Sequence, residues 1–256
     1  MKQERRRPEL REAISQILDA DTIDRAWSRF CDALEGYGFD KILYGGTRIP
    51  TKGIIGNVAD ALILHRGPQE YADIYLGEEL YLYSPTYDWA EHNTGFASWA
   101  EAAAQFKGQP TPQQLRIMQL NIQFGAISGY VGSLKGVVPG MRGVIGISPA
   151  GGADQAEADR MWAQDGADIA LLSQLVHVRI ASLPQTGQRR PLTSRQREAL
   201  QWSAQGKTMQ DIATIMDLSV GTIEKHLRMA RDSLDAQTTA HAVQKATSLN
   251  LLTDET

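Results

Sequence analysis

Residues 192–234 read LTSRQREALQWSAQGKTMQDIATIMDLSVGTIEKHLRMARDSL, and this stretch decides the fold of the C-terminal part of the chain. Thr193-Ser194-Arg195-Gln196 has the form of a capping box: the Thr193 hydroxyl can accept the N3 amide while Gln196 reaches back. The pattern predicts a helix running from there through Ala199, Leu200 and Ser203 to a stop at Gly206. Thr208 caps a second short helix, Met209 to Met216, with Ile212, Ala213 and Met216 turned inward. The turn Asp217-Leu218-Ser219 follows, and Ser219 is a favourable N-cap for a third helix. In it Val220, Ile223, Leu227, Ala230 and Leu234 keep to one face at spacings of three and four. A fourth helix, Thr239 to Leu249, buries Ala242, Val243 and Ala246.

Two short helices joined by a tight turn form a helix-turn-helix. The outward face of the third helix offers Thr222, Glu224, Lys225, Arg228 and Arg231. An α-helix fits the major groove of DNA, where long hydrogen-bonding side chains reach base edges and Lys or Arg suit phosphates. Charge does not decide the matter. Residues 190–256 hold 8 Lys+Arg and 8 Asp+Glu, a net of 8 − 8 = 0, so a solvated face on an ordinary helical subdomain stays open.

Upstream, Pro184 to Pro191 is a polar octapeptide bracketed by prolines and without hydrophobic periodicity, which reads as an exposed linker. It divides the chain into a segment 1–183 and a segment 192–256. Across 256 residues the chain carries 26 Lys+Arg and 30 Asp+Glu, a net charge of −4, with 42% hydrophobic residues; this excludes a disordered or fibrous protein. A single cysteine, Cys31, excludes a disulfide framework and CxxC-type metal sites. No apolar run is long enough to cross a membrane, and the basic start Met1 to Arg7 leads into an amphipathic stretch rather than a signal core. The expectation is a soluble cytoplasmic protein without a membrane partner.

In the first segment Leu10, Ile14, Ile17 and Leu18, then Ile23, Trp27, Phe30, Cys31 and Leu34, fall at helical spacing. Phe39 to Tyr44 reads as a strand, followed by short strands at Ile54-Ile55 and Ala61 to Leu64. Helices follow around Tyr71–Leu80 and Gln113–Phe124. Ile127 to Lys135 and Gly143 to Ser148 form a strand pair around the Gly136–Gly140 turn, and Ala153 to Ser182 is a long helix. Helices flanking a small antiparallel sheet predict an α+β fold, an α/β/α sandwich, ahead of an all-α four-helix domain.

The C-terminal pattern Leu192-Thr193-x-Arg195, Ala204-x-Gly206-Lys207-Thr208, Ile212-Ala213, Leu218-Ser219-x-x-Thr222-Ile223-x-x-His226-Leu227 and Ala242-Val243 resembles the LuxR-type helix-turn-helix domain, in register and without a gap. The resemblance implies binding of double-stranded DNA, with the third helix in the major groove and the fourth supporting dimer contacts. It places Glu224, Lys225 and Arg228 where base-reading side chains sit, and Thr193, Lys207, Thr222 and His226 where backbone-positioning groups fall. Gln196 stands where Glu is usual and keeps the capping chemistry. Glu224 replaces a common Lys or Arg; a carboxylate there favours a cytosine amino group, so the operator is expected to be distinctive.

The segment in front lacks the strand-end Asp clusters of a phosphoacceptor receiver. Tyr71-x-x-x-Tyr75, Ser84-Pro85, Trp99, Phe124-Gly125 and Gly129 resemble the autoinducer-binding domain of LuxR-type quorum-sensing receptors. An acyl-homoserine lactone presents carbonyls and one N–H on a greasy chain, so its pocket should be apolar and aromatic with a few placed polar groups. The resemblance implies Trp99 at the lactone end, Tyr75 donating to the acyl carbonyl, Tyr71 donating to the lactone carbonyl, and Gly129 in the ligand-binding set. Read without the family, aromatics at helical spacing are core filler.

Three departures weaken the polar anchor. Tyr71 stands where the family has Trp, Ser84 where it has an Asp that accepts the ligand N–H, and Gly146 where a hydroxyl is frequent. A neutral acceptor is about half as strong as an ionised one. Asp88 could replace that Asp only by re-registering the helix, against the aligned Pro85. Three readings stay open: a lactone held through altered contacts, another small hydrophobic signal held by Tyr71, Tyr75, Tyr87, Trp89 and Trp99, or a domain that folds without ligand.

No cofactor or metal is expected, since His65, His92, His177, His226 and His241 show no ligand spacing. His177 reads as a helix-face residue and Cys31 as an inert buried thiol. Asp88, Glu91 and His92 form a polar cluster, but no nucleophile–base–oxyanion set assembles, which leaves a lactone-processing enzyme as a remote alternative. Two recognition helices need half-sites about one helical turn apart, so the expectation is a homodimeric regulator controlled by a small hydrophobic signal.

Overall fold

The computed structural model describes residues 9–48, 61–105, 108–185 and 191–252. It forms two compact units, Met1–Ala181 and Ser182–Thr256. The expected strand at Ile54-Ile55, the basic start Met1–Arg7 and residues 186–190 of the expected linker lie outside the described residues.

The first unit opens with α1 (Leu10–Leu18) and α2 (Ile23–Gly36), the latter capped by the Thr22 hydroxyl, which accepts Arg25 N–H. There follow β1 (Phe39–Thr47), β2 (Leu62–Arg66), α3 (Gln69–Gly77), a 3-10 turn (Leu80–Tyr83), α4 (Pro85–His92), β3 (Gly95–Ser98) and α5 (Trp99–Ala104). The unit closes with α6 (Pro112–Gln123), β4 (Tyr130–Ser133), β5 (Arg142–Pro149) and α7 (Gln155–Ser182). The five strands form one antiparallel sheet in the order β2-β1-β5-β4-β3.

Alternation along the strands sends side chains to two different layers. On one face Tyr44, Ile145 and Ile147 are fully buried; the Tyr44 ring lies 6.0 Å from Trp27 on α2 and 5.9 Å from His177 on α7. Tyr130 stacks on Trp162 of α7 at 4.0 Å on this side. On the other face Leu43, Val131 and Val144 belong with Tyr75, Leu80, Tyr87, Ile117 and Leu120 in a separate core. The sandwich of helix, antiparallel sheet and helix is thus the architecture anticipated from the pattern.

Several elements differ from the expectation. α4, β3 and α5 follow one another within Pro85–Ala104, where no periodicity had shown them. Each is eight residues or fewer, too short to display a period. A local signal was present: Ser98 and Glu101 form a capping box at the start of α5. Leu18, expected inward, is exposed, while Ala13 and Ile17 carry the buried face of α1.

His177 is the clearest correction. It is 0% exposed, and its Nδ1 lies 2.8 Å from the Tyr44 hydroxyl across 133 residues of sequence. Burial first, and the positive Arg48 second, push its pKa down to about 4, so it is neutral at pH 7. Cys31 is fully buried as expected, and burial pushes its thiol up to about 12.

The second unit contains α8 (Ser194–Ala204), α9 (Met209–Ile215), α10 (Val220–Leu234) and α11 (Thr239–Ser248). Their starts are written locally. Thr193 Oγ1 accepts Gln196 N–H at 3.3 Å while Gln196 Oε1 accepts Thr193 N–H at 3.0 Å. Thr208 and Asp211 repeat the box on α9, and Ser219 Oγ accepts Thr222 N–H at 3.2 Å on α10. Leu200, Ile212, Ile223, Leu227, Ala230 and Ala246 meet in one core. Asp235, in the left-handed region at φ 50°, ends α10.

Candidate ligand cavity and nucleic-acid interface

Between the sheet of the first unit and α3, α4 and α6 lies a cavity of about 630 Å³. That is within the ~300–1,000 Å³ range of small-molecule sites. Tyr71 and Tyr75 reach it from α3, Ser84 and Tyr87 from the α4 start, Trp99 from α5 and Asn121 from α6; Leu43, Val144, Gly146 and Ser148 form its sheet wall. Trp89 and Asp88 are not among the lining residues. Asp88 is half exposed and lies 3.7 Å from His92, so it does not replace the carboxylate absent at Ser84.

The spacing of α3 produces the aromatic wall. Residues four apart share a helix face, and the Tyr71 and Tyr75 rings stack with centroids 5.5 Å apart. Phe124 closes on Tyr71 edge-on at 5.9 Å. Pro85 occupies the first turn of α4 and Ser84 its N-cap position, which fixes Ser84 in the cavity wall. Ser84 is 4% exposed, and its hydroxyl lies 2.7 Å from Thr86 Oγ1.

These phenols are hydrogen-bonding groups and not anions. Burial pushes Tyr75 up to about 12, a rise that its hydrogen bond with Ser84 reduces. Tyr71 is raised further, again chiefly by burial. The Tyr71 hydroxyl donates to Asn121 Oδ1 at 2.9 Å. Nothing in the sequence marks Asn121: a lone polar residue on a helix gives no signal of the tyrosine it will meet 50 positions away.

Gly129 is placed differently from the other candidates. It does not line the cavity. It holds φ +153°, and a Cβ there would lie 2.1 Å from the Ile147 carbonyl oxygen. Its own carbonyl accepts Trp99 N–H at 2.9 Å and Gln155 Nε2–H at 3.3 Å. Gly129 therefore lets the chain pass close to β5 and anchors the start of α5, through its backbone alone.

In the second unit, α9 and α10 with the turn Met216–Ser219 build the helix-turn-helix. Glu224, Lys225 and Arg228 are exposed along α10, while Thr222 and His226 are half-buried on the same helix. Thr193 and Lys207 are exposed near the starts of α8 and α9. Arg231, expected on the outward face, is half-buried and donates to Thr239 Oγ1 at 3.3 Å, which ties α10 to α11. Its position one turn further along carries it round toward the fourth helix.

Residues 22–180 match the autoinducer-binding domain family, and residues 190–246 match the bacterial regulatory proteins of the luxR family. The chain belongs to the LuxR family of transcriptional regulators. Among its relatives, the quorum-sensing-dependent transcriptional regulator RpaR of Rhodopseudomonas palustris is 29% identical over 227 residues, 88% of this chain and 87% of that protein. The transcriptional activator protein EsaR of Pantoea stewartii is 23% identical over 206 residues, 77% and 81% of the two chains. Among solved structures, SdiA in complex with octanoyl-rac-glycerol matches with a TM-score of 0.52 at 14% identity over 96% of each chain. An N-acylhomoserine-lactone-dependent LuxR-family factor of Burkholderia cenocepacia matches with a TM-score of 0.52 at 19% identity, over 66% of this chain and 92% of that one.

As a LuxR-family member of quorum-sensing type, the chain is a transcriptional regulator and not an enzyme. Its two parts are a small-molecule-binding domain and a DNA-binding domain. Among the described residues, no helix is long and apolar enough to cross a membrane.

Proposed function

We propose that this LuxR-family regulator acts in the cytoplasm as a homodimer, binding its operator through the 192–256 domain and a small hydrophobic signal through the 1–183 domain, with 184–191 as linker. The signal is an acyl-homoserine lactone or a close analogue, seated in the 630 Å³ cavity. The observation that carries this reading is that Tyr71, Tyr75, Ser84 and Trp99, separated by up to 28 positions, all contribute to the wall of one cavity. Such a wall is apolar over most of its area and polar at a few points, as an acyl chain with an amide head requires. Neutral Ser84 in place of a carboxylate reduces the pull on the ligand N–H.

On the DNA side, Glu224, Lys225 and Arg228 are the base-reading set, and Thr193, Lys207, Thr222 and His226 position the phosphate backbone. Arg231 is left to its Thr239 contact. Ligand acts by linkage: binding the folded dimer and not the unfolded chain stabilises it by ~2.7 kcal/mol at a hundredfold excess over Kd. The concentration of DNA-competent dimer rises accordingly.

The test is DNA binding by full-length protein made in a host that produces no acyl-homoserine lactone, with and without an added lactone panel. The reading expects one lactone to raise the melting temperature and change DNA affinity. A soluble dimer that binds DNA identically with and without every lactone overturns the ligand-controlled mechanism and favours ligand-independent folding. Arg228→Ala should cost ~1–3 kcal/mol in binding to the cognate site; unchanged affinity removes Arg228 from the base-reading set.

A further inference from the structure

Two buried polar atoms belonging to cavity-lining residues have no hydrogen-bond partner among the described residues: Trp99 Nε1 and Ser148 Oγ. Ser148 is 2% exposed, so solvent does not satisfy it. Buried polar groups in folded proteins are nearly always bonded, and an orphan calls for an explanation. Ser148 belongs to the sheet wall of the cavity, and Trp99 opens α5 directly after the end of β3.

The sheet brings the two together across 49 positions of sequence. The backbone amide of Trp99, not its indole, donates to the Gly129 carbonyl at 2.9 Å. Gly129 in turn lies so close to β5 that a Cβ on it would be 3.1 Å from Ser148 Cα. Ser148 pairs in register with Lys41 of β1. Trp99, Gly129, Ser148 and Lys41 therefore form one row transverse to the strands, and Trp99, Ser148 and Lys41 line the cavity. The Lys41 ammonium is paired with the Asp40 carboxylate at 2.9 Å and reaches the Pro149 carbonyl at 3.4 Å, so Lys41 is already engaged and leaves the free donors of the row to Trp99 and Ser148.

The chemistry of the row is one-sided. An indole N–H only donates, and a hydroxyl can do either. Their common complement is an acceptor oxygen. Along β5 the positions Val144, Gly146 and Ser148 share the cavity face. A hydroxyl absent at Gly146 is thus present one pleat further, roughly 6–7 Å along the strand.

We propose that Trp99 and Ser148 form a second, sheet-side polar anchor that takes a carbonyl-type oxygen of the ligand, and that Ser148 helps determine which ligand is accepted. This rests on the ligand reading given under Proposed function. The anchor adds to Tyr75 and Ser84, holding the ligand from β5 and the start of α5. It selects ligands whose second oxygen falls beside Ser148 instead of beside Gly146.

The experiment uses the full-length chain from a lactone-free host, titrated with N-octanoyl-homoserine lactone, its 3-oxo relative and 1-octanoylglycerol. Wild type, Ser148→Ala and Trp99→Phe are compared by calorimetry and by ligand-induced shift of the melting temperature. The expected result is that the tightest probe binds wild type and loses about five- to tenfold in affinity in each variant, the equivalent of one neutral hydrogen bond. The melting temperature of unliganded Ser148→Ala should equal or exceed that of wild type, because an orphan hydroxyl is removed. A fall in that temperature would give Ser148 a structural partner and overturn the proposal. Wild-type affinity of both variants for every probe overturns the anchor while leaving the ligand reading intact. Failure of all three probes to bind wild type overturns the ligand reading, and the anchor with it.

Discussion

Gly129→Ala separates a backbone role from a ligand-contact role. The added Cβ would lie 2.1 Å from the Ile147 carbonyl oxygen, 3.0 Å from its carbon and 3.1 Å from Ser148 Cα. All three are backbone atoms of a strand paired on both sides, so no side chain can swing away to make room. Relief requires the chain at Gly129 and β5 to part by at least 1.3 Å, the distance from the 2.1 Å clash to the 3.4 Å at which ordinary contact begins, against tight native packing. Forced overpacking costs about 1–3 kcal/mol. A φ of +153° is a conformation that side chains other than glycine rarely adopt, which adds about 1–3 kcal/mol. The sum is about 2–6 kcal/mol, and about 4 kcal/mol lowers Tm by roughly 8–16 °C at 2–4 °C per kcal/mol. Tryptophan fluorescence is a suitable readout, because Trp27, Trp89, Trp99 and Trp162 lie in the first unit and Trp202 alone in the second. Unfolding of the unliganded variant within about 1 °C of wild type would refute the close-approach argument. A loss of ligand affinity with an unchanged Tm would return Gly129 to the ligand-contact set.

Three further outcomes are expected. The folded His177 pKa of about 4 lies below its ordinary value of 6.5, so the unfolded chain takes up the proton first as pH falls. The stability His177 contributes is complete above pH 6.5 and lost progressively toward pH 4, about 3 kcal/mol in all; urea midpoints at pH 7.5 and 4.5 should converge more in His177→Gln than in wild type, and an equal pH slope in both would refute this. Cys31, buried with its thiol pushed up to about 12, should resist iodoacetamide in the native protein and react only on unfolding; stoichiometric labelling of folded protein would contradict the placement. Leu227→Ala removes a side chain only 5% exposed from the core between α8 and α10 and should destabilise the second unit by about 2–5 kcal/mol, read as loss of helical circular dichroism at lower temperature.

The C-terminal domain was legible in the sequence because its instructions are local. Thr193 with Gln196, Thr208, and Ser219 each fix a helix start within four residues. The three-and-four spacing of Ile223, Leu227, Ala230 and Leu234 then fixes which face is buried. The half-burial of Arg231 is not legible there, because exposure at the edge of that face depends on α11, which follows later in the chain. In the first unit the long helices and the β4–β5 pair could be read by the same means. The cavity could be anticipated only through the family resemblance, since Tyr71, Tyr75 and Ser84 carry no signal in themselves that separates a ligand wall from core.

What the sequence by itself determined is therefore the set of elements long enough, or punctuated clearly enough, to declare their period: α1, α2, α3, α6, α7, the strands β1, β4 and β5, and the four helices of the DNA-binding domain. What only the tertiary structure decided are the meetings between residues far apart in the chain. Tyr44 meets His177, Tyr71 meets Asn121, and Gly129 bonds to the Trp99 amide while passing close to Ile147 and Ser148. The physical reason is that periodicity and capping act over one or two helical turns. Strand order, register and close backbone approach are set by which whole faces pack together, and no single stretch of sequence contains that information.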